Sequence, residues 1–112
     1  MQNSMRNATQ AYATTASRRG PRAQEADVFR YANAMLRRAQ GDTLQARALA
    51  DNRRLWGTVI DLMRDPTNAL PVTLRASIVS VGLSVQREMD KPNPDLEFLI
   101  SINEDIASGL AA

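Results

Sequence analysis

Four clusters of helix breakers, RRGPR (18–22), QGD (40–42), RDPTNALP (64–71) and DKPNP (90–94), cut the 112-residue chain into five segments. Within each segment apolar residues return at intervals of three and four, and nowhere does a two-residue alternation persist, so helices are predicted and strands are not. A chain of this length is expected to build one domain around one core. The expected fold is therefore all-α: a small single-domain bundle of about five helices spanning 1–112. Within it, 1–19 is a weakly ordered N-terminal helix and 21–112 the core bundle.

The first segment, roughly 3–17, places Met5, Ala8, Tyr12 and Ala16 on one side. That stripe is thin and short helices are marginal in water, so the segment is expected to stay mobile alone or to order by docking. Pro21 suits the first turn of the second helix, whose buried stripe reads Val28, Phe29, Ala32, Met35, Leu36 and Ala39. Gly41 is expected to end that helix in the C′ position, and Asp42 to cap the next, over about 42–64. Pro71 is expected to start the fourth helix, about 71–90, after a loop in which Asp65 and Asn68 can bond nearby backbone and Pro66 holds residue 65 out of helical geometry. Asn93, Pro94 and Asp95 then cap the fifth, with the stripe Leu96, Leu99, Ile102, Ile106 and Leu110.

The fourth helix carries two apolar faces. Leu74, Ile78, Val81, Val85 and Met89 form the expected core stripe, and Val72, Val79 and Leu83 gather on the other side. Between them lies a ridge of Ser77, Ser80 and Ser84, with Gly82 on the other flank, small enough for a neighbouring helix to approach closely. A helix apolar on two sides is either central in its bundle or offers a stripe to a partner.

The doublet Arg53–Arg54 runs straight into Trp56, the one tryptophan of the chain. Arginines on phosphates beside a stacked ring would make a nucleic-acid clamp, but one turn of the wheel separates them. At 100° per residue Arg54 falls nearly opposite Trp56, and Arg53 lies at the boundary. Leu49, Asn52, Val59, Ile60 and Met63 cluster around Trp56, which reads as core, or as an interface anchor if its helix is partly open. Asn52 and Asn103 stand on otherwise apolar faces, where a buried amide must find a partner, either across the bundle or in a bound peptide.

The chain has no cysteine and no histidine, which removes thiol and imidazole chemistry, disulfides and the usual structural zinc. No glycine-rich phosphate loop is present, and the serines of the fourth helix have no base beside them, so no catalytic, cofactor-binding or metal-ligating residues are assigned and no enzyme is expected. No stretch resembles a secretory signal or is long enough to cross a bilayer, so a soluble cytoplasmic protein is expected, without a membrane partner. Thirteen of the fourteen basic residues are arginine and the net charge is only +2. Residues 88–112 hold six acids against Lys91 alone. A modest charge dipole follows, rather than a strong polyanion-binding field. Arg18, Arg19 and Arg22 offer an RNA contact, but no aromatic side chain interleaves with them.

The run RALADNRRLWGTVIDLMRDPTNALPVTLRASIVSVG resembles the FlaF family of alphaproteobacterial flagellar biosynthesis regulators. DNRRLW, DPTNALP followed by LRASI, and the closing FLISINEDIASGL carry the likeness, with Tyr12 and PRAQEADVF (21–29) fitting the family's opening. The resemblance implies a role in flagellin synthesis and secretion, acting against FlbT, a regulator that restrains translation of flagellin mRNA. It points to flagellin as the partner, bound by a secretion-chaperone-like module. Val72, Val79 and Leu83 are the candidate groove, with Arg53 and Trp56 joining if the third helix is partly open. The competing expectation is an RNA-associated regulator acting on flagellin mRNA directly or through FlbT. A homodimer through the second face of the fourth helix is a further expectation.

Overall fold

A computed structural model describes residues 22–111. Among them are four helices and no strand: α1 (22–38), α2 (Asp42–Arg64), α3 (Val72–Met89) and α4 (Leu96–Ala111). The all-α class and the last four expected helices are observed; the helix expected over 3–17 and the role of Pro21 lie outside the described residues. Phe29 and Leu36 of α1, Trp56 of α2, Val85 and Met89 of α3, and Leu99 and Ala107 of α4 meet in one buried core. Phe29 sets its ring edge against Trp56, with centroids 5.6 Å apart, a favoured aromatic geometry.

The helix ends depart from expectation at three places. Asp42 is the first residue of α2 rather than its cap, and the N-cap is Gly41. Gly41 was expected in the C′ position of α1, yet it lies three residues past the helix end, with φ 80° and ψ 162°. That conformation is strained for any residue with a Cβ, so the glycine serves the start of α2 and not the end of α1. Pro71 caps α3, accepting Arg75 N–H at 3.0 Å, and the helix begins at Val72.

The loop after α2 is stitched by its own side chains. Asp65 is extended, as the proline after it requires. Its Oδ1 accepts the Thr67 amide at 2.9 Å and the Thr67 hydroxyl at 2.8 Å. These two bonds and the nearby Arg75 charge hold the Asp65 carboxyl below its usual range. Asn68 donates to the Leu62 carbonyl at 2.9 Å and accepts the Leu70 amide at 2.9 Å. Arg75 then reaches back from α3 to the carbonyls of Leu70, Met63 and Asp65 at 3.0, 3.1 and 3.2 Å. Carbonyls that the end of a helix leaves unpaired are thereby satisfied.

Between α3 and α4, Asp95 is the capping residue: its Oδ1 accepts the Phe98 amide at 3.1 Å. Its own amide donates to Glu88 Oε2 at 3.1 Å, and Lys91 meets Glu88 Oε1 at 3.0 Å. The Asp95 amide first and Lys91 second hold the Glu88 carboxyl below its ordinary value of 4.5. A carboxylate whose folded pKa is depressed contributes stability that is complete above the unfolded value and disappears as pH falls through the folded one. The Asp95 amide shift is therefore expected to titrate with Glu88 in the acid range, below pH 4.5, and to stop doing so in Glu88→Gln. An Asp95 amide that ignores Glu88 protonation in the parent protein contradicts this.

The close approach between α2 and α3 is made by Gly82, not by the serine ridge. A Cβ built at Gly82 would lie 2.8 Å from Ile60 Cγ1 and 3.0 Å from Trp56 Cε3. Ser77 and Ser84 instead bond their own helix, to the carbonyls of Thr73 and Ser80 at 3.0 and 3.3 Å, a common fate for helical serines. Two residues expected in the core are half exposed: Leu74 at 45% and Val28 at 51%. Burial on α3 is confined to Gly82, Val85 and Met89 in its C-terminal half, so Leu74, near the start, projects past the part of the helix that is covered. Val28 falls on the flank of α1 rather than on the Phe29–Leu36 line.

Candidate protein-binding surface

The surface is held by a polar pin through the core. Trp56 is fully enclosed, and its indole N–H donates to Asn103 Oδ1 at 2.8 Å. Asn103 in turn donates to Asn52 Oδ1 at 2.7 Å, and Asn52 donates to the Met89 sulfur at 3.4 Å. The chain Met89–Asn52–Asn103–Trp56 ties α3, α2 and α4 together, so the two asparagines pair across the bundle as one of the sequence readings held. A third buried asparagine, Asn33, went unnoticed in the sequence. It donates to the Ile100 carbonyl at 3.0 Å and binds α1 to α4, while its own Oδ1 is enclosed without a partner. The signal was present, since Phe29, Ala32, Asn33 and Leu36 share a face at helical spacing.

Arg53 spends its guanidinium inside the chain. Nη2 donates to the Met89 carbonyl at 3.2 Å and to Asp90 Oδ1 at 3.1 Å, at the C-terminal end of α3, where a cation meets the negative end of the helix. Trp56 is enclosed and offers no contact at the surface of α2, whereas Arg53 stays about half exposed in its pair with Asp90. Of the basic patch, Arg22 lies 3.8 Å from Glu25, and Arg18 and Arg19 lie outside the described residues.

The three residues of the candidate groove do share a face. Val72 is 69% exposed, Leu83 37%, and Val79 between them is half-buried. With exposed Ala76 they follow one another at intervals of four, three and four residues, which is the spacing of a helix–helix seam. The seam stands about 90° around α3 from Gly82, on the side away from Val81 and Val85. Arg75 and the loop it clamps support the Val72 end, and Gly82 against Trp56 seats the Leu83 end. Arg75 was not singled out in the sequence, because its partners are backbone carbonyls that no residue pattern displays.

Among the described residues, no group of acidic, histidine or cysteine side chains could hold a metal ion, and no helix is long and apolar enough to cross a membrane. Neither a curated protein nor a solved structure matches the chain. A family described as "Flagellar protein FlaF" matches residues 8–110, and so takes in all four helices nearly to their end. The segments that carried the sequence resemblance are those that build the scaffold: DNRRLW supplies Asn52, Arg53 and Trp56, DPTNALP with LRASI supplies the clamped loop and Arg75, and SINEDI supplies Asn103. On the extent of that match, the chain belongs to the FlaF family of flagellar proteins.

Proposed function

We propose that this protein is a non-enzymatic cytoplasmic factor that binds flagellin through the α3 seam and promotes its synthesis and secretion in a chaperone-like way. The observation that carries the reading is the uncovered seam Val72–Ala76–Val79–Leu83 on a protein of a flagellar family. Flagellin's terminal segments are amphipathic and prone to polymerise, and an amphipathic helix laid along such a seam would bury both apolar faces. The serines beside the seam have no histidine or lysine next to them on α3, and Ser77 and Ser84 bond their own helix, which supports binding rather than turnover.

The test is a titration of the purified protein with flagellin and, in parallel, with the flagellin mRNA leader, following anisotropy of the labelled partner. Saturable binding to flagellin that tolerates moderate salt is expected, and Val79→Asp with Leu83→Asp should weaken it at least about tenfold, since each places a charge in an apolar contact. Both side chains are partly exposed, so the bundle is expected to survive the change. Undiminished flagellin binding by the double variant would remove the seam from the mechanism. Binding to the leader alone, steeply weakened by salt and lost when Arg18, Arg19 and Arg22 become Ala, would replace this reading with the RNA-associated one.

A further inference from the structure

The seam on α3 is one wall of a groove, and α2 supplies the other. Arg53 reaches Met89 and Asp90, Trp56 and Ile60 lie against Gly82, and Arg75 reaches the Met63 carbonyl, so α2 and α3 run antiparallel along their length. In an antiparallel pair, residues about a quarter turn past the contact line, in the same rotational sense on each helix, stand on the same side of the pair. From Gly82 that count reaches Val72, Ala76, Val79 and Leu83; from Trp56 it reaches Ala46, Ala50, Gly57 and Arg64. The opposite side of the pair is closed by α4, through Asn103 on Asn52.

The α2 wall is low. Ala46 and Ala50 are exposed, and a Cβ at Gly57 would meet nothing within 4 Å, so a helix has room to settle beside it. Val72 to Leu83 spans about 16 Å, the length of three helical turns. None of these lining residues is aromatic, so a nucleic-acid base has no ring to stack on, whereas an apolar helix face finds anchors at its own spacing.

Charge says which helix. Arg64 stands in the α2 wall, level with Ala76 and Val79, while Arg54 and Arg87 stand on the two rims near the Leu83 end. All three are exposed, and among the described residues none of them is in an ion pair. Arg53, at the same end, shares Asp90 at 3.1 Å. Against these four arginines the groove sets Asp61 and Asp90. The acids of α4, Glu97, Glu104 and Asp105, belong to the helix on the closed side of the pair. Whatever enters the groove therefore meets uncompensated positive charge along both edges of an apolar floor.

We propose that the α2–α3 groove takes an amphipathic helix of about three turns whose apolar stripe is flanked by acidic residues, its carboxylates meeting Arg54, Arg64 and Arg87. The inference rests on the seam being the binding face and adds the charge of what it binds. The experiment titrates the full chain with two stapled helical peptides, alike in apolar residues at intervals of four, three and four and differing only in flanking Glu or Lys. At low salt the Glu peptide is expected to bind at least about tenfold more tightly, and the difference should shrink to about twofold near 1 M salt. Arg54→Glu with Arg87→Glu should invert the order. Arg30→Glu with Arg38→Glu, the same change of charge placed on α1, should leave it as it was. Equal binding of the two peptides at low salt, or an order that the α1 variant inverts as well, overturns the proposal. So does self-association of the parent protein that Arg54→Glu with Arg87→Glu abolishes, which would give the groove to a second copy. Flagellin binding that is lost in Val79→Asp with Leu83→Asp but indifferent to Arg54→Glu with Arg87→Glu would keep the seam and overturn the charge preference. Glu-peptide binding in the absence of flagellin binding would uphold the groove and its charge and remove flagellin as the occupant.

Discussion

Asn103→Ala is expected to destabilise the bundle by about 2–5 kcal/mol, a large part of the roughly 5–15 kcal/mol that holds a domain of this size together. The side chain accepts from Trp56 Nε1 and donates to Asn52 Oδ1, and all three residues are fully buried. Truncation leaves an indole N–H and an amide oxygen enclosed without partners, each costing about 1–3 kcal/mol, and adds a cavity where α4 crosses α2. Asn52→Ala alone removes one bond to Asn103 and the weak one to the Met89 sulfur, so its cost should be smaller. The double variant should cost less than the sum, with a coupling of about 0.5–3 kcal/mol, because the two amides act as one unit. Urea denaturation followed by Trp56 fluorescence measures all three. An Asn103→Ala midpoint equal to that of the parent protein would mean that the pin does not hold the helices.

Gly82→Val is the second large effect, a loss of about 3 kcal/mol. Its first added carbon would already stand 2.8 Å from Ile60 Cγ1 and 3.0 Å from the Trp56 ring. Ile60 can turn its end away, but Trp56 is locked by Asn103, so α3 must move off α2 to admit a branched side chain. Gly82→Ala sets the same first contact against a gain of about 1 kcal/mol in helix propensity and should lie between the two. Gly57 and Gly109 provide the control. Both are helical, and a Cβ at either meets nothing within 4 Å. Alanine there is expected to stabilise by about 0.5–1 kcal/mol. Thermal melts separate these outcomes, since 1 kcal/mol shifts the midpoint of a domain this size by roughly 4–8 °C. A Gly82→Val protein that melts with the parent would show that α2 and α3 can part there without cost.

The breakers and periodicities were enough to place α1 through α4 within a residue or two, because capping and proline geometry are local. The wheel also separated Arg54 from Trp56 and set Asn52 and Asn103 on apolar faces. It could not find the clamp of Arg75, whose three partners are carbonyls brought together by a reversal of the chain. Nor could it tell that Gly82, rather than the serines beside it, is where α2 comes closest.

Among residues 22–111 the amino-acid order by itself settled which residues are helical and which share a face, since both depend on a rotation of about 100° per residue within one helix. It also carried the family, through segments that the fold uses as scaffold. Which faces are covered was decided only by the tertiary structure. Leu74 and Val28 were read as core and stand half in solvent, because burial depends on how far a neighbouring helix reaches and at what angle it crosses. Those quantities belong to pairs of helices, and no single helix encodes them.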